Sequence, residues 1–261
     1  MSGPWNKILV MLDASVSSRV VIIPSRMSSS RFPGKPLAKI SGTTMLARVI
    51  KNAVAAVGVD HTIVATCDTE IAEEAARYGV AAVMTSPLHE RASDRTAEAV
   101  DILEQNGRSF QNIVMLQGDE PLIPASLVTT VFGELELNST ATIVNLVGPI
   151  TSSEELNSPN CIKVVAAANG AALYFSRLPI PHSVGSDLRP YYKQVCAIGF
   201  DRDALDKFAR QRPGPLETLE SIDMLRWLEN GGEVRLVSTQ IKTHPVDSPV
   251  DIKTVEGLLA S

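Results

Sequence analysis

The stretch Val20-Val21-Ile22-Ile23-Pro24-Ser25-Arg26-Met27-Ser28-Ser29-Ser30-Arg31-Phe32-Pro33-Gly34-Lys35-Pro36-Leu37 decides the fold class. Its first part, from Arg19 to Ile23, reads as a strand buried on both faces, and it runs straight into a loop of Pro, Ser and Gly. Arg26, Arg31 and Lys35 crowd into this loop just past the strand's carboxyl end. In an open α/β sheet that end is where ligands sit, so the three cations suit a polyanion such as a triphosphate. The loop is not a Walker A motif: it lacks the upstream glycine, and Pro36 stands where Ser or Thr would hold magnesium. There is no G-x-G-x-x-G either. The alternative reading is a solvated basic loop.

Outward from this strand, apolar patterns alternate between the two periods. A helix is expected over Thr44 to Val57, a strand over His61 to Ala65, a helix over Ile71 to Tyr78 and a short strand over Ala81 to Met84. A helix from about Asp94 to Glu104 then leads to a strand over Asn112 to Leu116. This order predicts an α/β fold with a mostly parallel sheet covered by helices on both faces. Residues 1–18 are set aside as an extension, and residues 19–261 form one domain. Short β-type runs at Thr142 to Val147, Ile162 to Ala166, Ala171 to Phe175 and Val195 to Phe200 predict a small antiparallel insertion across about 151–213. A helical pattern from Leu216 to Glu229, stopped by Asn230-Gly231-Gly232, precedes a last strand at Val234 to Ser238.

Composition narrows the function. The 261 residues are 44% apolar, enough for a large core, and carry a net charge of −5. An acidic chain lacks the general electrostatic grip that nucleic acid demands, so an anion must be held by a local cluster. Cys67, Cys161 and Cys196 are scattered and odd in number, which supports neither a disulfide framework nor a zinc site. No apolar run reaches membrane-spanning length, and a cytoplasmic protein is expected. Of the four histidines His61 opens a strand, His89 lies in a loop, and His182 and His244 neighbour proline, all expected in structural roles, and no Ser-His-Asp or Cys-His spacing is visible.

A second chemical element is Gln117-Gly118-Asp119-Glu120-Pro121, where an acidic pair follows a buried strand. Carboxylates there can hold Mg²⁺ against phosphate, although turns select the same residues. Pro245-Val246-Asp247-Ser248-Pro249 places another aspartate in a stiff turn after the last strand, where a turn or capping role is the alternative.

Together with Tyr174-Phe175-Ser176-Arg177, Pro215-Leu216-Glu217 and Val246-Asp247-Ser248-Pro249, and in this order, these motifs make the chain resemble the CMP-Kdo synthetases, cytidylyltransferases that activate 3-deoxy-manno-octulosonate (Kdo). The resemblance runs from about Val20 to Leu258. It implies a nucleotide-diphosphosugar-transferase type of Rossmann-like three-layer fold, a homodimer, CTP and a small sugar acid as substrates, and Mg²⁺ as the essential ion. It further implies that Pro24, Ser25, Arg26, Lys35, Ser93 and Arg95 hold the nucleotide, and that Arg26, Arg31 and Lys35 stabilise the leaving pyrophosphate. Asp119 and Asp247 would hold the metal, and Gln117 and Arg177 would face the sugar acid.

Two departures stand out against the family pattern. The nucleotide segment usually written Ser-Gly-Thr-Asp-Arg here reads Arg91-Ala92-Ser93-Asp94-Arg95. At the acceptor side a usual His and Tyr are replaced by Gln194 and Ile198, and a usual Glu-Gln pair by Asp223-Met224. Those four positions are expected to meet the acceptor. Their exchange raises the alternative of a modified octulosonate or another 2-keto-3-deoxy acid as preferred acceptor. From other classes, a nucleotide-sugar glycosyltransferase lacks its carboxylate-x-carboxylate motif here, and a silent nucleotide-binding module is disfavoured by Lys35, Asp119 and Asp247.

Overall fold

The computed structural model describes residues 16–28, 32–137, 142–183 and 190–260. In chain order the first half comprises β1 (Val16–Pro24), a single 3-10 turn (Lys35–Leu37), β2 (Lys39–Ile40), β3 (Thr43–Thr44), α1 (Met45–Val57), β4 (Thr62–Thr66), α2 (Thr69–Arg77), β5 (Ala81–Met84), α3 (Ala92–Gln105), β6 (Ser109–Leu116) and α4 (Ala125–Leu137). The second half comprises β7 (Ile143–Pro149), α5 (Ser153–Asn157), β8 (Lys163–Ala166), β9 (Ala172–Ser176), β10 (Tyr192–Asp201), α6 (Arg202–Arg210), α7 (Pro215–Glu220), α8 (Met224–Glu229), β11 (Val234–Ser238) and α9 (Pro249–Ala260).

The main sheet runs β11-β7-β10-β6-β1-β4-β5. Strand β1 lies inside it, parallel to both β4 and β6. Its apolar run divides by the period of two. Val20 and Ile22 face a core shared with α3, α6 and α8, through residues such as Val100, Leu205 and Trp227. Val21 and Ile23 face the opposite core, built with α1, α2 and α4 through Leu46, Ile71 and Phe132. All four are 0% exposed, so β1 must have helices on both sides, and the three-layer architecture follows.

The antiparallel part is smaller than the sequence suggests. Strand β10 is not confined to an insertion: it crosses the main sheet antiparallel to both β6 and β7. Among the described residues, the hairpin β8-β9 branches off the main order, joining β10 through Tyr192 and Lys193, and β2-β3 forms a separate two-stranded sheet. Likewise, the single helical pattern over Leu216 to Glu229 is two helices, broken where Ser221 adopts φ 54. Strand β1 begins at Val16, within the 1–18 stretch set aside as an extension, and residues 1–15 lie outside the described residues. Among the described residues no helix is long and apolar enough to cross a membrane.

Candidate active site

The parallel strands β1 and β6 deliver their carboxyl ends side by side, and a cleft of about 980 Å³ opens beyond them. Ser25 N–H, one residue past β1, still donates to Ala65 O at 2.9 Å. The loop then turns back. Met27 N–H donates to Asp68 Oδ2 at 2.7 Å, and Gly34 N–H donates to Met27 O at 3.0 Å. Gly34 makes the closure at φ 74, a conformation that costs glycine nothing. The closure aims Lys35 inward: its Nζ donates to Asp119 Oδ2 at 2.7 Å and to Val246 O at 2.8 Å. Three segments remote in sequence, the loop after β1, the turn after β6 and the loop after β11, therefore meet on one ammonium. Gly118 makes the meeting possible, because a Cβ there would lie 3.1 Å from Ser25 Oγ and 3.2 Å from Pro24 O.

The turn after β6 places two carboxyl groups side by side. Asp119 Oδ1 and Glu120 Oε2 are buried with no partner among the described residues. Glu120, 2% exposed, accepts from Cys196 N–H at 3.2 Å through its other oxygen. Burial, then the neighbouring Asp119 charge, push its carboxyl up to about 8. Burial and then Glu120 and Asp119 likewise raise the Cys196 thiol well above its ordinary range. The orphaned Asp119 oxygen, facing the cleft, fits a divalent cation. Asp247 lines the same cleft, its backbone N–H held by Asp251 Oδ2 at 2.9 Å. A closed cage of three or more protein ligands is absent among the described residues.

Of the residues expected to hold the nucleotide, Pro24, Ser25, Arg26, Lys35 and Arg95 line the cleft. Arg26 Nη1 donates to His89 O at 3.3 Å. Arg95, 3% exposed, supports the loop before α3 from beneath, donating to Thr85 Oγ1, Ser86 O and His89 O. The same loop is pinned by Glu98, which accepts from Ser86 N–H at 2.8 Å and pairs with His89 at 2.6 Å. Ser93 does not line the cleft: fully buried, it donates to Asp223 Oδ2 at 2.8 Å. Arg31 lies outside the described residues.

Of the residues expected to meet the acceptor, Gln117, Arg177, Gln194, Ile198 and Asp223 line the cleft. Gln194, Cys196 and Ile198 reach it from β10, where the register against β7 shifts between Val195 and Ile198. Gln194 Nε2 donates to the buried Asn145 Oδ1 at 2.6 Å, which fixes the amide's direction. Met224 is corrected here: it is 1% exposed and packs with Leu225 and Trp227 in the core, away from the cleft, because α8 turns that side of the helix inward. Arg177 has three N–H groups engaged with backbone carbonyls, those of Glu220 (2.6 Å), Pro159 (2.7 Å) and Ser221 (3.0 Å).

The cleft residues Lys193 and Arg91, and the buried Lys163 behind the cleft wall, were not read from the sequence as site residues. Lys193 pairs with Glu155 and donates to Thr243 O at 3.0 Å. Lys163, 0% exposed, gathers the carbonyls of Ser158, Cys161 and Arg177. Arg91 crosses to Ser221 Oγ at 2.7 Å. A lysine inside the apolar run Ile162 to Ala166 was the available signal for Lys163, since a buried cation in a strand needs partners.

Residues 20–241 match the family described as Cytidylyltransferase. The chain is 37% identical over 243 residues to the 3-deoxy-manno-octulosonate cytidylyltransferase of Syntrophobacter fumaroxidans, covering 92% of this chain and 96% of that protein. It is 39% identical over 249 residues to the enzyme of the same name from Geobacter metallireducens, covering 91% and 96%. A solved structure of CMP:2-keto-3-deoxy-manno-octonic acid synthetase complexed with CTP superposes with a TM-score of 0.83 at 32% identity, over 94% of this chain and 99% of that one.

Proposed function

Since the chain belongs to the cytidylyltransferase family, we propose that it transfers CMP from CTP to the anomeric hydroxyl of Kdo and releases pyrophosphate. The chain is a nucleotidyltransferase. The observation that carries the substrate reading is the convergence of Lys35 on Asp119 at the paired ends of β1 and β6. A phosphate-binding cation and a cation-seeking carboxylate stand together there, as transfer at an α-phosphorus requires. The likeness to a synthetase complexed with CTP supports the nucleotide, and the names of the relatives support the acceptor.

In the reaction the acceptor oxygen bonds to the α-phosphorus in line as the bond to the β-phosphate oxygen breaks. The protein has little covalent work, so positioning and charge neutralisation supply the rate. Arg26 and Lys35 meet the phosphates, and Lys35 faces charge that grows as pyrophosphate leaves. Asp119 and Asp247 would hold Mg²⁺, which when bound supplies Lewis-acid charge to the phosphate oxygens. Gln117, Gln194 and Asp223 present amide and carboxylate groups to sugar hydroxyls. Homodimer formation and a cytoplasmic place in lipopolysaccharide synthesis belong to the same proposal and rest on the family resemblance.

Replacement of the usual acceptor residues by Gln194, Ile198 and Asp223 keeps a second acceptor in view, a modified octulosonate or another 2-keto-3-deoxy acid. With Met224 in the core, that case is narrower. One experiment tests both readings: pyrophosphate release from CTP and Mg²⁺ across a panel of 2-keto-3-deoxy acids. Kdo turned over at least as efficiently as any other acid supports the first, a different best acid supports the second, and no release with any acid refutes both.

A further inference from the structure

The acceptor side of the cleft carries the cations Arg91, Arg177 and Lys193. They differ in how far their N–H groups are committed. Arg177 spends three on backbone carbonyls. Lys193 is paired with Glu155 and bonded to Thr243 O. Arg91 extends from the residue that opens α3 and makes one hydrogen bond, Nη1 to Ser221 Oγ at 2.7 Å, with one loose ion pair, Nε to Glu217 Oε1 at 3.5 Å.

That ion pair is redundant for Glu217. The Glu217 carboxylate is 0% exposed, and Arg226 already holds both of its oxygens, at 2.8 Å each. If Arg91 swings away, Glu217 keeps a bidentate guanidinium, so no unpaired buried charge is created. The Arg91 side chain is itself 24% exposed, and its Nη2 has no protein partner among the described residues. It is thus a partly desolvated guanidinium with an unspent donor edge, held at the rim by one hydroxyl. Its anchor also fixes its place. Ser221 forms the left-handed turn between α7 and α8, two residues before Asp223, and its carbonyl takes Arg177 Nη2. This is the acceptor wall, whereas the phosphate cations Arg26 and Lys35 stand on the loop after β1.

Building on the cytidylyltransfer reading above, we propose that Arg91 is a specificity-determining residue that takes the carboxylate of the sugar-acid acceptor. A guanidinium meets a planar carboxylate through two parallel N–H groups, and the site then discriminates against acceptors in which that charge is missing. Arg177, on this view, shapes the wall that Arg91 works from.

The test is steady-state pyrophosphate release by wild type, Arg91→Gln and Arg91→Lys, with Kdo and with its carboxamide as acceptors. Arg91→Gln is expected to raise the KM for Kdo about 10- to 100-fold, leave the KM for CTP within about twofold, and erase most of the preference for carboxylate over carboxamide. Arg91→Lys is expected to recover part of that preference, because it keeps the charge and loses the fork. A raised KM for CTP with an unchanged KM for Kdo would assign Arg91 to the nucleotide and overturn the proposal. An undiminished preference for the carboxylate in Arg91→Gln would overturn it as well, since a residue that merely props the Ser221 turn would weaken both acceptors alike. Wild-type enzyme inactive with every acid would instead refute the underlying reading, and the proposal with it.

Discussion

Replacing Lys35 by Ala probes stability and catalysis at one atom. Its Nζ sits 2.7 Å from Asp119 Oδ2, with the two side chains only 13% and 22% exposed. A charge-assisted bond in such surroundings contributes about 1.5–3 kcal/mol, and its loss leaves Asp119 beside Glu120 with no counter-charge. For a chain of this length about 2 kcal/mol corresponds to a melting-point drop of about 4–8 °C in the metal-free protein. Mg²⁺ should reverse much of the drop. In the wild type a cation must compete with the ammonium for Oδ2, whereas in Lys35→Ala that oxygen is open, so added Mg²⁺ should raise Tm more in the variant. Catalysis should respond differently. In the proposed reaction Lys35 faces the charge that develops as pyrophosphate leaves, so turnover at saturating CTP should fall about 10²–10³-fold, beyond any change in KM for CTP. The assays are pyrophosphate release against CTP concentration and thermal melts with and without Mg²⁺. Unchanged turnover with only a raised KM would mean that Lys35 supplies uniform binding. Equal Mg²⁺ increments in both proteins would show that ammonium and metal do not share Asp119.

Asp119→Asn and Asp247→Asn are each expected to abolish Mg²⁺-dependent turnover while far-UV circular dichroism stays unchanged, and near wild-type pyrophosphate release would return that residue to a turn role. Gly118→Ala should lower activity more than stability, because a Cβ 3.2 Å from Pro24 O forces the two strand-end loops apart, and an unaltered rate would contradict that spacing argument. Glu120 makes stability fall with pH: its folded carboxyl titrates at about 8 against 4.5 unfolded, so the metal-free fold holds the extra proton between those values. The contribution is complete below 4.5 and is lost as pH rises through about 8, on the order of 5 kcal/mol in all. Glu120→Gln should flatten that decline in urea melts from pH 5 to 9, and an equally steep decline in the variant would place its origin elsewhere.

Much of the sheet is legible in the sequence because its strands are buried on both faces. The runs Ala81 to Met84 and Val234 to Ser238 coincide with β5 and β11. Helix α4 is not legible as a helix: Val128-Thr129-Thr130-Val131 has β-branched chemistry and Gly133 interrupts its pattern, yet packing against β6, β7 and β10 overrides propensity. Helix α6 did carry a signal. Asp201 accepts from Ala204 N–H as an N-cap, and Leu205 and Phe208 follow at helical spacing. In the site, the loop after β1 and the turn after β6 are readable because strand ends fix where they go. Side-chain direction is not readable: Met224 differs from Asp223 by one residue, and only the packing of α8 sends one inward and the other to the cleft.

The same packing ties together the two walls that the proposed reaction assigns to nucleotide and acceptor. Arg226, 1% exposed, bonds Asp94 of α3 at 2.7 Å and Glu217 of α7 at 2.8 Å, so the helix beginning in the nucleotide segment and the helix behind the acceptor wall share one guanidinium. Ser93 repeats the link to Asp223, and Glu220 carries it onward by accepting from Ser176 Oγ and Arg177 N–H. Of the two carboxylates around the buried Arg226, Glu217 is fully buried and held through both oxygens while Asp94 is 28% exposed and keeps solvent, and Arg91 touches the cluster only loosely, at 3.5 Å from Glu217. Buried ionic clusters are poor sources of net stability, since desolvation offsets much of the attraction, but they fix geometry because every mispairing is costly. An in-line transfer between two separately bound substrates needs that fixity: an error of about 1 Å between the walls would displace the acceptor oxygen from the α-phosphorus. The cluster is therefore understood as the device that sets the spacing between nucleotide and acceptor, with Arg91 as the member that can leave it for a ligand.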